Sequence, residues 1–301
     1  MHAVFADPKT DFVFKRIFGS EARKPLLIAL LNHLLELDGD RRILDVQHLT
    51  GEQHVDLAEL KLSIVDVKCT DATGRRYVVE MQVLKVEGFE KRVVYNASKA
   101  YVMQLRNAEE YPALCDVVGV TICNFNLWSD RDAGGRFKVP MLSRWRMQEQ
   151  HTGERGLSQV QYVFLELPKY EAGDAPTALI DKWAFFFREA KNLNVVPPAL
   201  AEGPFRDALE VARTANFSAD EWEAYERSKM AEQDARGALA IERQEGKVEG
   251  KRGTLLRLLE RRGITLAEDE RSRIAACTDV PTLDRWCENV LDAKTVADVF
   301  S

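Results

Sequence analysis

The stretch from Ser63 to Val83 constrains this chain more than any other. It reads as two apolar strands joined across Ala72-Thr73-Gly74, and each strand holds one carboxylate, Asp66 or Glu80, in its interior. A three-residue hairpin loop is a type I turn followed by a residue in the left-handed region, where glycine is preferred. That loop pairs Asp71 with Arg75. Counting back places Lys68 opposite Val78, Val67 opposite Val79, and Asp66 opposite Glu80. Directly opposed side chains share a face, with Cβ atoms roughly 5 Å apart. The register therefore expects Asp66, Lys68, Glu80 and Gln82 on one face, and Val65, Val67, Val79, Met81 and Val83 on the other. Opposed carboxylates in apolar strands repel, and an unpaired buried charge is costly. A divalent ion relieves both problems. Mg²⁺ takes oxygen ligands and keeps several waters, and against phosphate it activates a water for attack. Lys68 on the same face offers a metal-free alternative. An ordinary ion pair of Asp66 with Lys68, beside an exposed Glu80, accounts for the same residues without chemistry.

The rest of the chain supplies layers for this hairpin. Apolar residues at helical spacing predict helices over 11–18 and 24–37, the second with a stripe from Leu26 to Leu35. Strands are expected over 60–69 and 77–86, a helix over 89–106, and a buried central strand within the β-branched run 114–125. A turn over 130–135, a strand over 160–167 ended by Pro168, and an aromatic-rich helix over 177–193 follow. This order predicts an α/β domain with a mixed sheet flanked by helices, over residues 1–195. Val195-Val196-Pro197-Pro198 reads as a break. Beyond it the sequence predicts a polar helical connector over 196–253, carrying Gly246 and Gly250 on one face, and a small all-helical module over 254–301. The helical tail is expected to make a homo-oligomer.

Charge and cysteine usage narrow the classes. The net charge of −6 comes entirely from residues 171–301, because residues 1–170 carry 23 basic and 23 acidic side chains. A basic nucleic-acid-coating protein is not expected, although a local basic groove is compatible with this balance. Five cysteines without a CxxC pair predict free thiols in a reducing cytoplasm. The start lacks the pattern of a secretory leader, and no stretch approaches membrane-spanning length. There is no HExxH, Walker loop, GxGxxG or nucleophile elbow. Trp128, Trp145 and Trp183 are expected in the core or at an interface.

Several short patterns recur in a fixed order. Asp11-Phe-Val-Phe-Lys15-Arg-Ile-Phe18-Gly19 comes first, then Asp66-Val-Lys68 and Glu80-Met81-Gln82. Arg92-Val-Val-Tyr95 with Lys99 and Tyr101, and the apolar run 117–125, complete the set. In order and spacing, over about residues 7–195, this resembles the Rpn family of recombination-promoting nucleases and transposases within the PD-(D/E)XK nuclease superfamily. The resemblance implies a restriction-endonuclease-like core and a metal-dependent DNA endonuclease that hydrolyses phosphodiester bonds in recombination, mobile-element or defence biology. It makes Asp66 and Glu80 the ligands of Mg²⁺ or Mn²⁺. Gln82 stands where the superfamily usually has its lysine. Glutamine is neutral, so it can orient a water or bind phosphate through its amide but cannot replace an ammonium. Lys68 is the candidate for the missing charge, which makes Asp66, Glu80, Gln82 and Lys68 the expected catalytic set. Arg92, Tyr95 and Lys99, at i, i+3 and i+7 on one helix face, either contact phosphate and support the site or form a solvated face. Asp11 and Lys15, at i and i+4, make a helix ion pair or support the site. Glu21 or Glu36 is a candidate third carboxylate. The alternative reading is a catalytically weak DNA-binding or protein-interaction module that keeps the nuclease fold.

Overall fold

Gly74 sits at φ +83° and closes the predicted loop. The Gly74 N–H donates to the Asp71 carbonyl, and the Asp71 N–H donates to the Arg75 carbonyl, each at 3.0 Å. This computed structural model describes residues 3–53, 63–105 and 110–301. The loop joins β4 (Val67–Asp71) to β5 (Arg76–Gln82), and Lys68 pairs with Val78 and Val67 with Val79 as the turn chemistry requires.

Before the hairpin come α1 (Asp11–Phe18), α2 (Lys24–Leu35) and β1 (Val46–Leu49), then a two-stranded pair of β2 (Glu52–Gln53) with β3 (Ser63–Ile64). After it come α3 (Phe89–Val102), β6 (Val117–Cys123), β7 (Leu142–Trp145), β8 (Val160–Glu166) and α4 (Leu179–Glu189). The six-stranded sheet runs β1-β4-β5-β6-β8-β7. Its β5–β6 and β6–β8 pairs are parallel and the others antiparallel, so the sheet is mixed as expected. All seven residues of β6 are buried, which is why it reads as an unbroken β-branched run. One face carries the main core: Val67, Cys69, Tyr77, Val79 and Met81 of the hairpin pack with Phe14 and Phe18 of α1, Leu27 and Leu30 of α2, and Trp183 and Phe187 of α4. The other face is covered by α3, where Val78 and Val117 meet Ala97 and Ala100.

One part of the register differs from expectation. The β4–β5 ladder stops at Val67–Val79, and Asp66 lies at a bend just before it. Val65 packs with Val78 and α3 instead of sharing the face of Val67 and Val79. A bend resets the alternation of side chains, so a count from the turn holds only as far as the ladder. Residues 54–62, where the first strand was expected to begin, and Arg106 at the expected end of α3 lie outside the described residues.

The main core also runs past the proline pair. Leu200, Phe205, Leu209 and Ala212, the last three on α5 (Gly203–Ala212), join it together with Phe217 and Tyr225. The Ala6 N–H donates to the Ala212 carbonyl at 2.8 Å, and the Thr214 N–H donates to the Val4 carbonyl at 3.0 Å. The chain divides into units Met1–Lys229 and Met230–Ser301, so residues 196–229 belong to the first unit, with α5 packed against α1, α2 and α4. The long helix α6 (Ala219–Arg261) is followed by α7 (Glu268–Ala276), α8 (Val280–Asn289) and α9 (Val296–Val299). The second unit has its own core, built on Leu255, Leu259, Ile274, Leu283, Trp286 and Val290. All five cysteines are free thiols, with Cys69 and Cys123 buried. Among the described residues no helix is long and apolar enough to cross a membrane.

Candidate active site

Because β4 begins only at Val67, the Met81 N–H has no strand partner opposite it, and Asp66 fills the gap. The Met81 N–H donates to Asp66 Oδ2 at 2.7 Å. Burial pushes the Asp66 carboxyl up to about 7. That hydrogen bond opposes the shift, the charges of Asp11 and Glu80 add to it, and Lys15 opposes it. The expected ion pair of Asp11 with Lys15 is present at 2.7 Å, and the same two charges act on Asp66. Of the acids on the first helices, Asp11 is the one whose charge acts on Asp66. Glu21 instead meets Lys24 at 2.7 Å and His48 at 3.1 Å, and Glu36 meets Arg144 at 3.0 Å.

Glu80 projects from β5 toward α3 and is 7% exposed. Asn96 Nδ2 of α3 donates to Glu80 Oε1 at 2.5 Å. Burial raises the Glu80 carboxyl, while the Asn96 hydrogen bond and the charge of Arg92 lower it. Asn96 was not singled out from the sequence, although it lies four residues after Arg92 and one turn before Lys99, on the face that Val93 and Ala97 help to bury.

Gln82 does not stand alone. Its Nε2 donates to the Leu84 carbonyl at 2.8 Å, and its Oε1 accepts from Arg92 Nη2. The glutamine at the expected lysine position thus holds a guanidinium, and that guanidinium is the cation acting on Glu80. Lys68 is buried on the α3 face, where burial, Arg76 and Lys99 hold its ammonium below the usual range. Lys99 is buried beneath the Tyr95 ring, with Nζ 5.6 Å from the centroid, and Tyr95 itself reaches the surface.

Among the described residues no three His, Cys, Asp or Glu side chains come together to hold a metal ion by themselves. The candidate donors are the pair Asp66 and Glu80, both pushed toward the protonated form by burial. Asn96 Oδ1, beside Glu80, is a buried acceptor without a hydrogen-bond partner. Hard oxygen donors that lack positive charge, with coordination positions left to water, fit Mg²⁺ or Mn²⁺.

No curated protein and no solved structure matches the chain. A family model described as PD-(D/E)XK nuclease family transposase matches residues 8–242, a span that takes in α1, the whole sheet, the carboxylate pair and α5. That span is most of the chain and agrees with the mixed sheet and its flanking helices, so the chain belongs to the PD-(D/E)XK nuclease family transposases and has a nuclease-type function.

Proposed function

We propose that this protein hydrolyses phosphodiester bonds in DNA, with Asp66 and Glu80 holding Mg²⁺ or Mn²⁺. The observation that carries the reading is the carboxylate pair at the end of the β4–β5 ladder, Glu80 buried and Asp66 partly buried, each disfavoured as an anion. The bound ion would polarise the scissile phosphate and lower the pKa of a water. The chain's own groups do the positioning. The Met81 N–H fixes Asp66, the Asn96 amide fixes Glu80, and Gln82 holds the Arg92 guanidinium beside Glu80. Arg92 is exposed enough to meet substrate, and a guanidinium can bind a phosphate with two parallel hydrogen bonds. The charge of the superfamily's lysine is thereby supplied from α3. Oligomerisation through the C-terminal helices and a role in recombination remain part of this proposal.

Conversion of supercoiled plasmid to the nicked form with Mg²⁺ tests it. The wild-type protein should nick, and Asp66→Ala and Glu80→Ala should each lose at least about 100-fold of the rate, the scale of lost charge stabilisation at a reacting centre. Equal nicking by all three proteins would identify a contaminant and leave the weak binding module as the reading.

A further inference from the structure

The long helix α6 changes its charge pattern partway along. In its first half, unlike charges one turn apart pair with each other: Arg227 with Glu223 at 3.2 Å, Lys229 with Glu226 at 3.1 Å, and Arg236 with Glu232 at 2.6 Å. From Glu242 onward the pattern reverses. Arg243 and Lys247, Glu245 and Glu249, and Arg257 and Arg261 are like charges at i and i+4, a spacing that weakens a lone helix. Among the described residues none of these six forms an ion pair.

The charges are also sorted by side. Helical geometry puts Glu242, Glu249 and Glu260 along one side of a line, and Arg243, Lys247 and Arg261 along the other. All six are exposed. The line between them carries Gly246, Gly250 and Gly253. Beyond their own helical turns, nothing in the chain lies within 4 Å of where a Cβ would stand at any of the three. No packing inside the molecule therefore calls for residues that weaken the helix. The opposite side of α6 is covered, with Val248, Leu255 and Leu259 buried in the core of the second unit.

A fitting partner for the uncovered side presents acid beside base along about 28 Å and comes close at the centre. A second copy of the same helix does both. With a two-fold axis along the helices, the glycine line of each copy faces the other, and the acidic side of one meets the basic side of the other twice. Acid and base are consecutive at 242–243 and at 260–261, so unlike charges also come to the same height. Reversing one helix would set acid against acid and base against base, which is costly. Nucleic acid would use the basic side alone and leave the acidic side without a role.

We propose that α6 pairs with α6 of a second copy, parallel and in register, across Gly246, Gly250 and Gly253. This pairing gives an orientation and a seam to the oligomerisation through the C-terminal helices, on which it rests, and needs nothing from the carboxylate pair.

Sedimentation of the full chain at low salt, without DNA or metal, tests it. The wild type should be a dimer that weakens as salt screens the rims. Gly246→Leu with Gly250→Leu should weaken the dimer at least about 10-fold, while helix content by far-UV circular dichroism holds or rises, because leucine favours a helix. Changing one rim, by Arg243→Glu, Lys247→Glu and Arg261→Glu or by Glu242→Lys, Glu249→Lys and Glu260→Lys, should make either protein monomeric. An equal mixture of the two should dimerise again. Gly246→Cys and Gly253→Cys should each form a disulfide with the same position of the second copy, faster than the native thiols do. A monomeric wild type would overturn the pairing. So would a dimer indifferent to both the leucines and the rims, which would place oligomerisation on another surface, or rim variants that stay apart when mixed. Linkage of Gly246→Cys only to Thr254→Cys would make the helices antiparallel and overturn the register. Plasmid nicking enters none of these measurements, so its failure would remove the nuclease reading and leave the pair standing.

Discussion

Asp66 shows how one side chain at the end of a ladder combines structure with chemistry. It caps the Met81 N–H, and burial raises its carboxyl from 3.8 to about 7. In the folded, metal-free protein Asp66 is protonated below about 7, whereas in the unfolded chain it ionises near 3.8. Its contribution to stability therefore falls as pH rises between those values and is least favourable above them. Asp66→Asn keeps an oxygen for the Met81 N–H and removes the charge. It should be more stable than the wild type by about 1–3 kcal/mol at pH 8 without metal, and close to it at pH 4. Urea unfolding at the two pH values checks this, and an equal effect at both would rule out charge as the cause. Gln82 is tested separately. Gln82→Leu frees Arg92 and should slow single-turnover cleavage about 10–100-fold, the usual loss when a supporting partner is removed. Gln82→Glu keeps the acceptor and should retain more activity. Glu80 was legible because turn chemistry sets register as far as the ladder runs, whereas the position of Asp66, at a bend past Val67–Val79, was not. The link from Gln82 to Arg92 was not, since nothing in a strand's spacing says where a side chain ten residues past its end will turn. Asn96 was hidden because a lone polar residue on a helix reads as surface until the facing strand is known.

At the scale of elements, legibility followed constraint. The hairpin was readable from Gly74, and β6 from a run that only two-sided burial requires. The short edge strands β1 and β7 escaped notice. Each is four residues long and pairs on one side only, so Gln47, His48, Arg144 and Trp145 need no apolar alternation. The insertion between β6 and β7 was readable only as a turn, yet a buried ion pair holds it down. Glu166 ends β8 and meets Lys169 at 2.6 Å, both almost wholly inaccessible. Glu166 Oε1 accepts from the Leu127 and Trp128 N–H groups, and Lys169 Nζ donates to the Val139 carbonyl. Three backbone groups on two stretches of the insertion thus depend on two side chains. Lys169→Ala leaves a buried carboxylate unpaired and should cost about 3–5 kcal/mol, whereas the double change Glu166→Gln with Lys169→Met should cost clearly less. Denaturant midpoints of the two proteins decide it. Equal losses would mean that packing, not charge, secures the insertion.

For the whole molecule, the informative contrast is between a sequence break and a structural one. Val195-Val196-Pro197-Pro198 ends a helix, and from the sequence that looks like the end of a domain. In the folded chain the main core continues. Phe205 packs on Trp183 with ring centroids 4.8 Å apart, and Phe217 and Tyr225 meet at 5.9 Å. The Tyr225 hydroxyl accepts from the Asp7 N–H at 3.0 Å, tying α6 back to the first residues. Proline signals the end of an element, but only burial marks the end of a folding unit, and burial is set by partners far away in sequence. A chain ending at Lys229 should therefore unfold in one cooperative transition with its aromatic near-UV signal intact. A chain ending at Val195 loses Phe205, Leu209, Phe217 and Tyr225 from the core. Large-to-small changes at such sites cost about 2–5 kcal/mol each, so losing four together reaches the whole stability of an ordinary domain, about 5–15 kcal/mol. That shorter chain should lack a cooperative transition and aggregate, because Trp183 and Phe186 would lose their cover. If it melted cooperatively at the same temperature as the 1–229 chain, the proline pair would be the true boundary, and the helices after it would be an accessory that the sheet does not need.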